Sequence, residues 1–158
     1  MKFSLKMKAE WLSFHSISMA EKILFLKNKV HFRLADSKRL SSWINRIAKN
    51  EGFKIASLTF IFCSDRFVHA MNKKFLNHDE LTDILTFDLS EKKGELSGEI
   101  YISIDRVKDN ATKFKVSFGQ ELKRVIIHGV LHLIGFDDKS VVKAQKMRDK
   151  EDACLSLY

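Results

Sequence analysis

Residues 128–138 read HGVLHLIGFDD, and this stretch decides how the chain folds and what chemistry it carries. Upstream of it, Ser117 followed three residues later by Gln120 fits a capping box, in which each side chain serves the other residue's backbone N–H. Leu122, Val125, Ile126 and Val130 then recur at helical spacing, so a helix starting at Ser117 presents an apolar stripe to the core. His128 and His132 lie four apart, one turn above each other on one face, where two imidazoles can point at a common atom. Gly135 suits the left-handed position that ends a helix and reverses the chain. Asp137 or Asp138 can then come back toward the imidazoles as a third ligand. Gly129 removes a side chain beside His128 and permits close approach of another backbone, a substrate or a helix. Two core histidines satisfied by backbone carbonyls would need neither the glycine stop nor the acidic residues after it, so the pattern points to metal binding.

Outward from this helix, periodicity lays out the remaining elements. KILFL (22–26) is a short apolar strand, and KIASLTFIFC (54–63) is a β-branched and aromatic one. DILTFDL and GEIYISI are two more, joined by the charged, glycine-containing SEKKGELS. SKRLSSWINRIAKNEG places Leu40, Trp43, Ile44 and Ile47 at helical spacing between a Ser37 cap and a Gly52 stop. SDRFVHAMNKKFL does the same through Phe67, Ala70, Met71 and Phe75 behind Ser64, and from Asp105 the chain reads as helix to its end. The expected fold class is α+β, with a single mixed sheet of about four strands packed with helices and a metal site on a central helix and the loop after it.

A chain of 158 residues with 45% hydrophobic content supports one domain with a real core, read here as residues 1–158. No apolar run approaches the roughly eighteen residues of a membrane span, and the charges in MKFSLKMKAEWLSFHSISMA interrupt any signal-peptide stretch. A cytoplasmic location is expected, with no membrane partner. Cys63 and Cys154 stand far apart without a CxxC pairing and read as small buried hydrophobes. The formal charge of +8 is confined to one part of the chain: residues 1–54 hold 12 Lys and Arg against 4 Asp and Glu, and residues 55–158 hold 16 against 16. Such an excess suits a surface facing a polyanion, because each neutralised phosphate releases counterions; a lysine-rich solvated face is the alternative.

HGVLHLIGFDD resembles the H-G-x-L-H-L-x-G-Y-D-H signature of the YbeY family of single-strand-specific, metal-dependent endoribonucleases, which act in ribosomal RNA maturation and ribosome quality control. MNKKFLNHDELTDILTFD is similar to that family's L-N-x-x-[YF]-R-x-x-D-x-x-T-D-V-L-S-F-P segment, and GEIYIS to its G-D-I-x-I-S strand. The resemblance covers approximately residues 22–155 and leaves 1–21 as an N-terminal extension, with Met19 a candidate start.

The chain departs from the family pattern in three ways. The third histidine of the signature falls on Asp138, so the resemblance implies a His128, His132, Asp138 ligand set, with Asp137 outside it. Two imidazoles and a carboxylate still make a catalytic zinc set with an open position. One zinc ion is the expected cofactor, and the harder oxygen ligand also admits manganese, nickel or iron. The family arginine thought to face RNA falls on Leu76, so either Lys73, Lys74 or His78 contacts the substrate in its place or nuclease activity is weaker. The family's prolines fall on Leu81 and Asp88, which bears on loop stiffness more than on chemistry.

The resemblance implies hydrolysis of RNA phosphodiester bonds, with processing of the 3′ end of small-subunit ribosomal RNA as the expected role. The partners it implies are single-stranded ribosomal RNA and the small ribosomal subunit with its assembly factors, not DNA. The catalytic group expected is a metal-bound water. No side chain is assigned as its base; His78 is a candidate, and Glu121, roughly 10 Å along the helix axis from His128, is read as structural. Two other readings compete. A zinc protease shares the HxxxH helix but needs glutamate where this chain has Gly129. A noncatalytic RNA-binding assembly factor would use the metal only to hold its last helices together.

Overall fold

A computed structural model describes residues 22–77 and 79–158. Its four strands are β1 (Ile23–Lys27), β2 (Lys54–Cys63), β3 (Ile84–Asp88) and β4 (Glu95–Ser103). They form one mixed sheet in the order β1, β2, β4, β3, in which β1, β2 and β4 run parallel and β3 pairs antiparallel with β4. The near-continuous apolar character of β2 follows from burial on both faces. Leu58, Phe60 and Phe62 enter the main core, while Ile61 and Cys63 join Leu85, Phe87 and Tyr101 in a smaller cluster on the other face. The α+β reading with one four-stranded sheet therefore holds.

Five helices cover this sheet. Helix α1 (Ser37–Asn50) buries Leu40, Trp43, Ile44 and Ile47, as its spacing predicts. Its cap is Asp36, not Ser37: the Asp36 carboxylate accepts from Arg39 N at 3.0 Å, and its negative charge suits the positive end of the helix dipole. Helix α2 (Asp65–Met71), capped by Ser64, packs Val68 into the smaller cluster. The apolar spacing predicts one helix to Leu76, whereas residues Asn72–Leu76 wind as a π-turn that closes with Asn77 N–H on Asn72 O. Apolar spacing continues through both windings, so it does not reveal where the pitch loosens.

Helix α3 (Ile104–Phe114) starts at the Ser103 cap and stops at Lys115, which takes a left-handed conformation with φ 56°. Helix α4 (Phe118–Ile134) has both halves of the capping box: Ser117 N donates to Gln120 Oε1 at 2.9 Å and Gln120 N to Ser117 Oγ at 3.2 Å. Val125, Ile126, Ile127, Val130 and Leu131 are fully buried, each contributing about 1.5–3 kcal/mol of transfer free energy. A Cβ at Gly129 would stand 2.7 Å from Ile84 Cδ1 and 2.9 Å from Ile100 Cγ2. The absent side chain thus lets α4 press against β3 and β4, which fixes the height of His128 and His132 over the sheet. Helix α5 (Val141–Leu155) returns along the core and buries Met147, Glu151 and Cys154. Trp43 Nε1 donates to Cys154 O at 2.9 Å and ties α5 to α1. Among the described residues no helix is long and apolar enough to cross a membrane.

Candidate metal centre

Gly135 ends α4 at φ 112°, its N–H reaching Leu131 O and His132 O, and the chain reverses there. The reversal brings Asp138 back over the helix. One ligand atom from each of His128, His132 and Asp138 then lies within 4.8 Å of the others. Nε2 of His128 is 2.9 Å from Nε2 of His132, and Asp138 Oδ2 is 3.6 and 3.8 Å from these two atoms. Asp137 turns elsewhere: it takes Lys143 Nζ at 2.8 Å and Lys139 N at 3.0 Å. The Lys143 hydrogen bond and the Lys139 N–H hold its carboxyl low, at about 2. Of the two aspartates left open by the helix-end pattern, Asp138 is the one beside the imidazoles.

The partners of the outer ring nitrogens decide what the inner ones can do. His132 Nδ1 is 3.1 Å from Phe136 O, a carbonyl that can only accept, so Nδ1 carries the hydrogen. His128 Nδ1 lies 2.5 Å from Glu151 Oε1, a carboxylate oxygen, and donates in the same way. In the neutral rings both Nε2 atoms are then bare lone pairs, and they face each other and a third acceptor on Asp138. Burial, and next the neighbouring His128, push the His132 imidazole below its ordinary value. Three convergent acceptors without a donor fit a divalent metal ion, and two nitrogens with one carboxylate oxygen fit zinc.

His128 and Asp138 line a cavity of about 880 Å³ between α3, α4 and α5. Its lining includes five carboxylates, Asp83, Glu121, Asp138, Glu151 and Asp152, against three cations, Lys123, Arg124 and Arg148. A divalent ion would bring that lining to charge balance. Arg124 is already committed: its Nε and Nη2 donate to Glu121 at 2.9 and 2.6 Å, and Nη2 also reaches Asp83 Oδ2 at 3.4 Å. Burial alone would lower the Arg124 guanidinium, but Glu121, then Glu151 and Asp83, raise it. Glu121 is 2% exposed and serves as the partner of Arg124. Arg148 is exposed and, among the described residues, makes no ion pair.

Lys73 and Lys74 lie on the π-turn, whose Phe75 packs against Phe87 on the opposite face of the sheet, and neither lines this cavity. Lys73 Nζ is held by Asp79 Oδ2 at 2.9 Å, and Lys74 Nζ sits 5.2 Å from the Phe75 ring centre. His78 lies outside the described residues. Glu151, Arg148 and Asp83 escaped the sequence reading. Arg124 and Glu121 precede His128 by four and seven residues and share its face, so helical periodicity could have flagged Arg124; no spacing connects Glu151, on another helix, to His128.

A family model described as Endoribonuclease YbeY matches residues 24–158. A protein named Endoribonuclease YbeY from Cytophaga hutchinsonii is 49% identical over 137 residues, covering 87% of this chain and 96% of the relative. One of the same name from Amoebophilus asiaticus is 45% identical over 129 residues, covering 82% and 88%. The solution structure of TM1509 from Thermotoga maritima superposes with a TM-score of 0.59 at 30% identity, covering 85% of this chain and 87% of that one.

Proposed function

The chain belongs to the endoribonuclease YbeY family, and we propose that it is a metal-dependent endoribonuclease that cleaves single-stranded RNA during ribosomal RNA maturation. The observation that carries the metal dependence is the convergence of His128 Nε2, His132 Nε2 and Asp138 Oδ2, all acceptors when the rings are neutral and their Nδ1 atoms serve Glu151 and Phe136 O. Zinc is the proposed ion, with manganese, nickel or iron admitted by the carboxylate. When bound, such an ion supplies Lewis acidity toward a phosphodiester and makes water a nucleophile near neutral pH.

The protein's own residues hold and orient. Phe136 O and Glu151 fix the ring faces of His132 and His128, and Asp138 closes the third side. The adjoining cavity receives the strand, with exposed Arg148 as a phosphate contact at its rim. Lys73 and Lys74 are proposed to meet more distant backbone, for which Lys73 must leave Asp79; His78 keeps the role proposed from sequence. The excess of basic residues up to Lys54 supports a further electrostatic path for RNA. The start of the family match at residue 24 supports reading 1–21 as an extension of one domain. The proposed setting is the cytoplasm, with the small ribosomal subunit and its assembly factors as partners, at the 3′ end of small-subunit RNA and in ribosome quality control.

The test is cleavage of an end-labelled single-stranded RNA and of the same sequence as a duplex, by zinc-loaded wild type and His128→Ala. Cleavage of the single strand, reduced at least ~100-fold in the variant while RNA binding persists, is the expected result. Unchanged cleavage in the variant, or binding without cleavage by loaded wild type, would favour a noncatalytic RNA-binding factor.

A further inference from the structure

The three proposed ligands come from α4 and the loop behind it, yet the side chain that fixes the first of them belongs to another helix. Glu151 on α5 is 3% exposed and sets Oε1 2.5 Å from His128 Nδ1. Its Oε2 lies 3.5 Å from Nη1 of Arg124, one turn before His128 on α4. Arg124 in turn holds the two Glu121 oxygens and approaches Asp83, just ahead of β3, whose Oδ2 also accepts from Asn110 Nδ2 at 3.2 Å. A continuous polar chain therefore runs from His128 through α5 and α4 to the strand that Gly129 lies against.

We propose that Glu151 is a positioning residue of the metal centre, clamped by Arg124: it pins His128 with the hydrogen on Nδ1 and turns Nε2 toward the ion, so that metal retention depends on the last helix. This rests on the metal reading proposed above. Burying a carboxylate is a costly way merely to dock a helix, since an apolar side chain such as Met147, on the same helix, does that without desolvating a charge. The geometry also separates Glu151 from the reacting atoms, because it holds the ring nitrogen opposite to the one that faces the ligand cluster. A carboxylate behind a ligating imidazole fixes its tautomer and increases its basicity toward the metal.

Two measurements on the full chain test this. In zinc-free wild type, imidazole nitrogen-15 spectra should report His128 with its hydrogen on Nδ1; a hydrogen on Nε2 overturns the inference without any variant. In competition with a chromophoric chelator, Glu151→Gln should hold zinc about 10- to 100-fold more weakly than wild type. Arg124→Lys, which keeps the charge but loses the fork, should lie between the two. Met147→Ala serves as the packing control: it should lower the melting temperature of the zinc-free protein while leaving zinc affinity within about twofold. If zinc affinity instead follows melting temperature across all three variants, Glu151 is only structural. If wild type takes up no zinc, the metal reading itself fails; if wild type binds zinc and Glu151→Gln binds it as tightly, only this inference fails.

Discussion

Nε2 of His128 and Nε2 of His132 lie 2.9 Å apart, and the acceptors behind each ring, Glu151 and Phe136 O, leave neither with a hydrogen to offer while the rings are neutral. In the proposed centre the pair is a lone-pair clamp that a cation would complete, with Asp138 on its third side. Imidazole and carboxylate are both competent zinc ligands in such sets. Asp138→His, which restores the third histidine of the family signature, should bind one zinc per chain in a calorimetric titration. A variant that folds but takes up none would show that the loop after Gly135 does not bring position 138 to the ion.

Gly129 controls the distance between this clamp and the sheet. Gly129→Ala places a methyl group 2.7 Å from Ile84 Cδ1 and 2.9 Å from Ile100 Cγ2, against two buried side chains of the sheet. Overpacking of this kind costs about 1–3 kcal/mol. At about 2–4 °C per kcal/mol for a chain of this size, the melting temperature followed by circular dichroism should fall by several degrees. An unchanged melting temperature would mean that α4 can lift from β4 freely.

Removing one half of the α4 capping box should have a smaller effect. Ser117→Ala leaves Gln120 N without its side-chain acceptor on an exposed helix end and should cost about 1 kcal/mol in a urea titration. Ser117→Asp should restore most of the loss, since aspartate caps equally well and its charge suits the dipole. Failure of aspartate to rescue would locate the effect outside the cap.

Asp79 sets the pH behaviour of the π-turn. Hydrogen bonds from Lys73 and then His69 hold its carboxyl below the ordinary 3.8. Its folded value lies under its unfolded one, so the stabilisation is complete above pH 3.8 and is lost as the pH falls through the folded value. A carbon-13 titration of Asp79 should show the depressed midpoint, and Lys73→Met should move it up toward 3.8. Bound RNA that draws Lys73 away should shift it in the same direction; a midpoint insensitive to Lys73→Met would remove that ion pair from the account.

Much of this architecture is legible in the chain because local patterns and long-range packing agree. The β-branched runs at 54–63 and 98–104, the stripe from Leu122 to Val130 and the Gly135 stop each specify their element through neighbours in sequence. HxxxH followed by a glycine stop brings its aspartate back for the same reason, since a left-handed cap reverses the chain wherever it occurs. What escaped the sequence depends on contacts between distant segments. Glu151 reaches His128 only because α5 folds back along α4, and Arg148 faces the cavity through that same return. Lys73 and Lys74 stand near the Leu76 position in sequence, but folding puts their turn on the other face of the sheet, against Phe87. The π-winding of Asn72–Leu76 rests on backbone closures, such as Asn77 N–H on Asn72 O, that residue spacing does not encode.

The central claim is that His128, His132 and Asp138 hold a metal ion, and elemental mass spectrometry of untagged protein tests it most directly. Wild type should carry close to one transition-metal ion per chain, zinc foremost, retained in Asp137→Ala and lost in Asp138→Ala. Wild type without metal even after reconstitution, or Asp138→Ala loaded as fully as wild type, would contradict it.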